Sequence, residues 1–165
     1  MGDCGVNLPS EVYVFRVFTT LSIDSKGRLA VPSRYRDRLH VIADGELVLT
    51  LNPLDRSLWL YPLSEWEIIE TKLAELSDFD KQSRRAKQMM RGYATDCRLD
   101  SQGRILLSQE LREYASIDKQ AVILGQGNKF EIWDEVSWMQ QRDQWLNELG
   151  NEESEPSERL KKLSL

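Results

Sequence analysis

The chain has 165 residues, of which 41% are hydrophobic and 30% charged, a balance that suits one domain or two small lobes around a shared core and excludes a disordered polyelectrolyte. No apolar run approaches the roughly 20 residues of a membrane helix, and the start lacks the charged-then-apolar layout of a secretory signal, so a soluble cytoplasmic protein without a membrane partner is expected. Cys4 and Cys97 have no spacing that suggests a disulfide framework or a zinc site. The net charge of −5 argues against nucleic acid only until its distribution is considered, because a local patch steers a polyanion more than the global sum does. Lys26, Arg28, Arg34, Arg36 and Arg38 face only Asp24 and Asp37, and Lys81, Arg84, Arg85, Lys87 and Arg91 meet no acid in their run. The acids collect between Glu65 and Glu75 and in "NEESEPSE".

In chain order, residues 1–14 show no period and read as a flexible arm. "VFTTLSI" (Val17 to Ile23) reads as a strand leading into the polar turn "DSKGR" (Asp24 to Arg28). "LAVPSRYRDRL" gives a short apolar strand and then a helix opened by Pro32. "ELVLTL" and "SLWLYP" alternate as a hairpin joined through Asn52, Pro53 and Asp55. "SEWE" (Ser64 to Glu67) has the form of a capping box, and Trp66, Ile69, Leu73 and Leu76 follow at helical spacing. Residues 77–91 read as a basic linking helix, with Ala86, Met89 and Met90 packed and Arg84, Arg85 and Lys87 in water.

The order then repeats. "GYATDCRL" leads into "DSQGR" (Asp100 to Arg104), seventy-six residues after the first turn, and "ILLSQELREYA" follows with Ser108 as the helix cap and Arg112 in register with Arg36. "AVILG", a "QGNK" turn and "FEIWD" restate the hairpin, and a helix carrying Trp138 restates the one carrying Trp66. This is duplication of a unit, strand, turn, strand, helix, hairpin and helix, over residues 15–76 and 92–149. Residues 150–165 read as an acidic flexible tail in which "ERLKKLSL" can form a final amphipathic turn. The expected class is α+β, mainly β.

Each turn has a readable chemistry. Asp24 or Asp100 accepts backbone N–H bonds, Gly27 or Gly103 supplies a positive φ, and Arg28 or Arg104 offers a planar fork of donors for a carboxylate, a phosphate or a guanine edge. For the aspartates, the glycines and Arg104 the simpler role, locking a hairpin corner, is sufficient. Arg28 differs, because its neighbour Lys26 becomes Gln102 in the second copy and because Arg34 and Arg36 follow closely.

Enzyme chemistry finds no support. His40 is the single histidine, and there is no nucleophile elbow, cysteine–histidine pairing or glycine-rich phosphate loop, so no catalytic residue, cofactor or metal is expected. Trp59, Trp66, Trp133, Trp138 and Trp145 occupy repeat-matched or helical positions that suit a core or an interface.

From Phe15 to Leu149 the chain resembles the MraZ family, bacterial transcriptional regulators made of two swapped-hairpin units of the AbrB superfamily. The resemblance rests on the paired D-x-x-x-R turns, "SKGRLAVPSRYR", "LWLYPLSEWEIIE" and "GNKFEIWDE". It implies a pseudo-twofold, barrel-like β core with flanking helices, assembly as a closed homo-oligomeric ring, and binding of tandem boxes in double-stranded DNA upstream of a division and cell-wall gene cluster that includes the regulator's own promoter. Repression and a nucleoid-associated location are the expected consequences. By the same resemblance Lys26 and Arg28 map onto the DNA-contacting turn and Arg16 onto the segment before the first strand; Arg34 and Arg36 join them as candidate contacts. Family members usually begin at the position of Val14. The rival reading is a non-enzymatic ring or adaptor that binds proteins, its basic stretches being solvated faces.

Overall fold

The structure is a computed structural model and describes residues 14–151 and 155–163; all but the last residue of the expected arm, and part of the expected tail, lie outside the described residues. Six strands form one antiparallel sheet: β1 (Phe18–Ser22), β3 (Glu46–Leu51), β4 (Leu58–Pro62), β5 (Thr95–Arg98), β7 (Gln120–Gly125) and β8 (Phe130–Asp134). Its order is β1-β7-β8-β4-β3-β5. Two short strands, β2 (Arg28–Ala30) and β6 (Arg104–Leu106), pair separately. The class is α+β with mostly strand content in the core, and β1 and β5 are the edges of a sheet that does not close on itself.

The order reads the same from either end once β1 is exchanged for β5, β3 for β7 and β4 for β8. Each repeat therefore gives its first strand to the hairpin of the other: Phe18 to Ser22 pair with Leu124 to Gln120, while Thr95 to Arg98 pair with Leu49 to Glu46. A pseudo-twofold axis runs through two register pairs. One is Trp59 with Glu131 at the centre of the β4–β8 pairing, and the other is Leu29 with Ile105 at the centre of β2–β6. Leu29 and Ile105 are fully buried, and each side chain of that size contributes about 1.5–3 kcal/mol relative to exposure. They join one core with Leu47, Leu49, Leu51, Leu58, Leu60 and Ile132.

Helices cover the strands. In α1 (Ser33–Ala43), Pro32 is the N-cap at φ −52°, and Tyr35 and Leu39 are buried. In α2 (Leu63–Ala74) the expected capping box does not form: Pro62 ends β4 and is itself the N-cap, without a side-chain cap bond, so Ser64 falls inside the first turn. Because the helix ends at Ala74, Leu76 lies beyond it and is exposed, whereas Trp66 and Leu73 pack on Val48, Tyr61 and Met90 as a second core. The linking helix α3 (Lys81–Gly92) starts later than expected, since the Asp80 carboxylate accepts from Ser83 N at 3.0 Å and fixes its first turn there. Met90 is buried but Met89 is exposed. Lys87, expected in water, keeps only 16% of its side chain exposed; it pairs with Asp78 and donates to Leu76 O at 2.8 Å.

In α4 (Gln109–Tyr114) the expected Ser108 cap accepts from Leu111 N at 3.4 Å. Residues 136–165 form a compact unit of their own, containing most of α5 (Glu135–Leu149), in which the Trp138 and Trp145 rings meet edge to face at 5.9 Å. In the same unit α6 (Glu158–Lys161) is capped by Ser157. Among the described residues no helix is long and apolar enough to cross a membrane.

Candidate nucleic-acid interface

The two polar turns are built alike. In the first, Gly27 N donates to Asp24 O at 3.0 Å, Asp24 N donates to Arg28 O at 3.0 Å, and Gly27 takes φ +83°, which makes a three-residue loop ending in a left-handed residue. The Asp24 carboxylate organises the corner: Oδ1 accepts from the backbone N of Lys26 and of Arg28, both at 2.9 Å, and Oδ2 accepts from Arg28 Nε at 2.8 Å. The Arg28 backbone N–H, then its side chain, hold the Asp24 carboxyl down to about 2. In the second turn Asp100 accepts from Gln102 N at 2.9 Å, Arg104 N at 2.8 Å and Arg104 Nε at 2.9 Å, and its carboxyl likewise lies below the usual carboxylate range, first through the Arg104 backbone N–H.

The strand exchange places these turns beside each other. Val31 N donates to Gly103 O and Leu107 N donates to Gly27 O, both at 2.9 Å, so each repeat is stitched to the turn of the other. The first helix of each repeat also braces the opposite turn. Arg36 donates Nε to Val31 O at 2.7 Å and lies where a Cβ on Gly103 would stand. Arg112 donates Nη2 to Asp118 O at 3.2 Å, and its Nη1 comes within 3.0 Å of a Cβ placed on Gly27. The register of Arg36 and Arg112 in the repeat was the sequence signal for this bracing, but spacing alone does not reveal that the braces cross. One ion pair crosses as well, from Arg104 Nη1 to Asp24 Oδ2 at 3.7 Å.

The candidate binding residues divide accordingly. Lys26 is exposed at the tip of the first turn, and Arg28 stands two residues on with 30% of its side chain exposed and its Nε turned to Asp24. Arg34 is exposed on α1, its guanidinium 6.0 Å from the Tyr35 ring centre, whereas Arg36 is half-buried in its bracing role. Arg16 is exposed on a segment that the fold grips firmly. Phe15 beside it is buried against the Tyr35 and Phe130 rings at 5.4 and 4.3 Å, exchanges backbone bonds of 2.7 and 2.9 Å with Gly127, and the Tyr35 hydroxyl donates to Arg16 O. Gly125 lacks the Cβ that would overlap the Arg16 backbone. Val17 follows at φ +89°, a conformation strained for a β-branched residue. The family resemblance pointed to Arg16, and no local sequence pattern pointed to the aromatic clasp that grips its backbone.

The second basic run is partly neutralised inside the fold: Arg91 pairs with Glu70 of α2 at 3.2 Å and Lys87 with Asp78, while Lys81 and Arg85 are exposed. His40 is exposed on α1, and among the described residues no three His, Cys, Asp or Glu side chains are grouped to hold a metal. Burial pushes the Cys97 thiol up to about 12.

Comparison with known proteins agrees with this duplicated architecture. The family described as "MraZ protein, putative antitoxin-like" matches the chain twice, over residues 14–89 and 90–162. The chain is 50% identical over 152 residues to the transcriptional regulator MraZ of Thioalkalivibrio sulfidiphilus (strain HL-EbGR7), a match covering 92% of this chain and 100% of that protein. Proteins of the same name from Shewanella baltica (strain OS155 / ATCC BAA-1091) and Shewanella sp. (strain MR-7) are each 47% identical over the same shares. With both repeats matched and the relatives covered from end to end, the chain belongs to the MraZ family.

Proposed function

We propose that the protein is a sequence-specific DNA-binding regulator of transcription that presents its first turn to the major groove. Arg28 reads a base edge or grips a phosphate, Lys26 pairs with the backbone, and Arg16 and Arg34 add flanking phosphate contacts. The observation that carries this reading is the difference between two turns of one geometry: the first carries an exposed Lys26 beside Arg28, the second an exposed Gln102 beside Arg104. The shared name of the relatives, transcriptional regulator, supports the same reading. The exchange of β1 and β5 between the repeats supports the AbrB-like swapped-hairpin description, in which one duplicated chain serves as its own pseudo-dimer.

One subunit offers few cations for a chain of net charge −5, so its contact with a single box is weak. A homo-oligomeric ring with its first turns facing the same way engages successive major grooves one helical turn apart, and linkage raises the avidity by roughly 10²–10⁴. The expected targets are tandem boxes upstream of a division and cell-wall gene cluster, the protein's own promoter included, with repression as the outcome and the nucleoid as its place of action.

The test is a titration of one, two and three boxes at fixed salt, with and without about five extra base pairs between boxes, half a helical turn. Affinity should climb steeply with box number and collapse on insertion. Equal affinity for one box and three would remove the ring mechanism. Weak, sequence-blind retention of every fragment would instead favour a protein-binding adaptor, a reading supported by the internal pairing of Lys87 and Arg91 and by the fully exposed Phe79 between α2 and α3.

A further inference from the structure

Asp24 receives two guanidinium groups. Arg28 of its own turn meets Oδ2 through Nε at 2.8 Å, and Arg104 of the opposite repeat meets the same oxygen through Nη1 at 3.7 Å while its Nε stays on Asp100 at 2.9 Å. The sharing runs one way: among the described residues Asp100 pairs with Arg104, and no matching ion pair joins it to Arg28. The departure from symmetry arises at the two guanidiniums, since the strands carrying them pair symmetrically, with Ala30 opposite Arg104 and Arg28 opposite Leu106. All three side chains are partly shielded, with 33% of Asp24, 30% of Arg28 and 26% of Arg104 exposed, so their charges are less screened than those of a solvated pair.

When Arg28 turns toward a phosphate or a base edge, Asp24 loses its nearest cation. A carboxylate left alone there would face incoming phosphates as a like charge, and it would pull Arg28 back. It must nevertheless stay in place, because Oδ1 holds the backbone N–H groups of Lys26 and Arg28. We propose that Arg104 is a positioning residue for the DNA-binding turn: it keeps the Asp24 carboxylate paired and fixed while Arg28 engages DNA. The second turn, lacking a lysine at its tip, thus serves the first. This rests on the reading that the first turn binds DNA.

The experiment measures DNA affinity, its salt slope and the melting temperature of the full chain on a duplex taken from upstream of the protein's own gene. The proteins compared are the parent, Arg28→Ala, Arg104→Gln, Arg104→Lys, Asp24→Asn and the Arg104→Gln/Asp24→Asn pair. Asparagine keeps the Oδ1 acceptor for the turn and replaces Oδ2 with an amide donor, so it removes both the charge and the acceptor that the two arginines share. Arg104→Gln should bind about fivefold more weakly, a coupling of ordinary size for side chains in one network, with the salt slope unchanged. Arg104→Lys should recover most of that loss, and Arg104→Gln should add nothing once Asp24 is asparagine. Parental affinity in Arg104→Gln would overturn the proposal. So would a loss that persists in the Asp24→Asn background with the slope lowered by about one, since Arg104 would then touch a phosphate itself. Parental affinity in Arg28→Ala is a different result: it would remove the DNA reading, and this inference with it. Should Arg104→Gln not fold, Asp24→Glu carries the test by moving the carboxylate while leaving both arginines. Weaker binding at an unchanged slope is expected there, and unchanged affinity would overturn the proposal.

Discussion

The Arg112 guanidinium of the second repeat stands against Gly27 of the first, its Nη1 3.0 Å from where a Cβ would be, while Arg36 occupies the corresponding space at Gly103 outright. Both glycines have positive φ, so alanine is strained at either position. Each substitution should cost about 1–3 kcal/mol. Gly103→Ala should cost more, because Arg36 is tied to Val31 O at 2.7 Å and can move aside only by giving up that bond. Urea unfolding of the two variants checks the order; equal midpoints would mean that the braces yield freely.

Acid sensitivity should trace to the turn carboxylates. The Asp24 carboxyl is lowered from 3.8 to about 2, so between those values the unfolded chain binds more protons than the folded one. The stability Asp24 contributes is therefore complete above about pH 4 and is lost as pH falls through its folded value. Melting temperatures taken from pH 5 down to pH 2 should fall more steeply for the parent than for Asp24→Asn. Parallel curves would show that the carboxylate contributes no pH-dependent stability.

On DNA, Arg28→Ala should lose roughly 1–3 kcal/mol if the side chain reads a base edge, and Lys26→Ala should lower the salt slope by about one, with both proteins folded. If Arg104→Ala weakens binding as much as Arg28→Ala does and lowers the salt slope as well, the second turn contacts DNA itself and the contrast between Lys26 and Gln102 carries no meaning.

Thr50 ties the linking helix to the sheet. It is fully buried in β3 and donates Oγ1 to Met90 O, near the end of α3, at 2.6 Å. Thr50→Val keeps the shape and removes the donor, which should cost about 1 kcal/mol or more because a buried carbonyl is left unpaired. An unfolding midpoint equal to the parent's would show that α3 docks through Met90 and its apolar neighbours alone.

Local chemistry in this chain was legible, and its long-range partners were not. The strand limits of "ELVLTL" and "FEIWD", the Ser108 cap and both aspartate-centred turns are written in runs of a few residues, where alternation, a cap or a glycine has one cheap solution. Ser64 misled because the pattern S-x-x-E matches a capping box wherever it falls, and only the end of β4 shows that Pro62 already holds the cap position. Asp80 displaced the start of α3 for a similar reason: a capping carboxylate outweighs the weak helical preference of the residues before it. At the site, Lys26 and Arg28 could be named from the turn itself. Arg112 against Gly27 and Arg104 beside Asp24 are consequences of strand exchange, which no local pattern encodes.

That exchange also sets a schedule for synthesis. As the ribosome releases the chain, the β3–β4 hairpin can pair as soon as it emerges, but Phe18 must wait until Leu124 has been made before its strand finds its place. Until then β1 and its half-exposed Phe18 trail from an incomplete sheet, available to any unpaired edge, including that of another nascent copy on the same messenger. Completion of the native sheet is thus tied to synthesis of the second repeat rather than of the first, and a ribosome stalled between the repeats leaves a first half with no partner for its own leading strand.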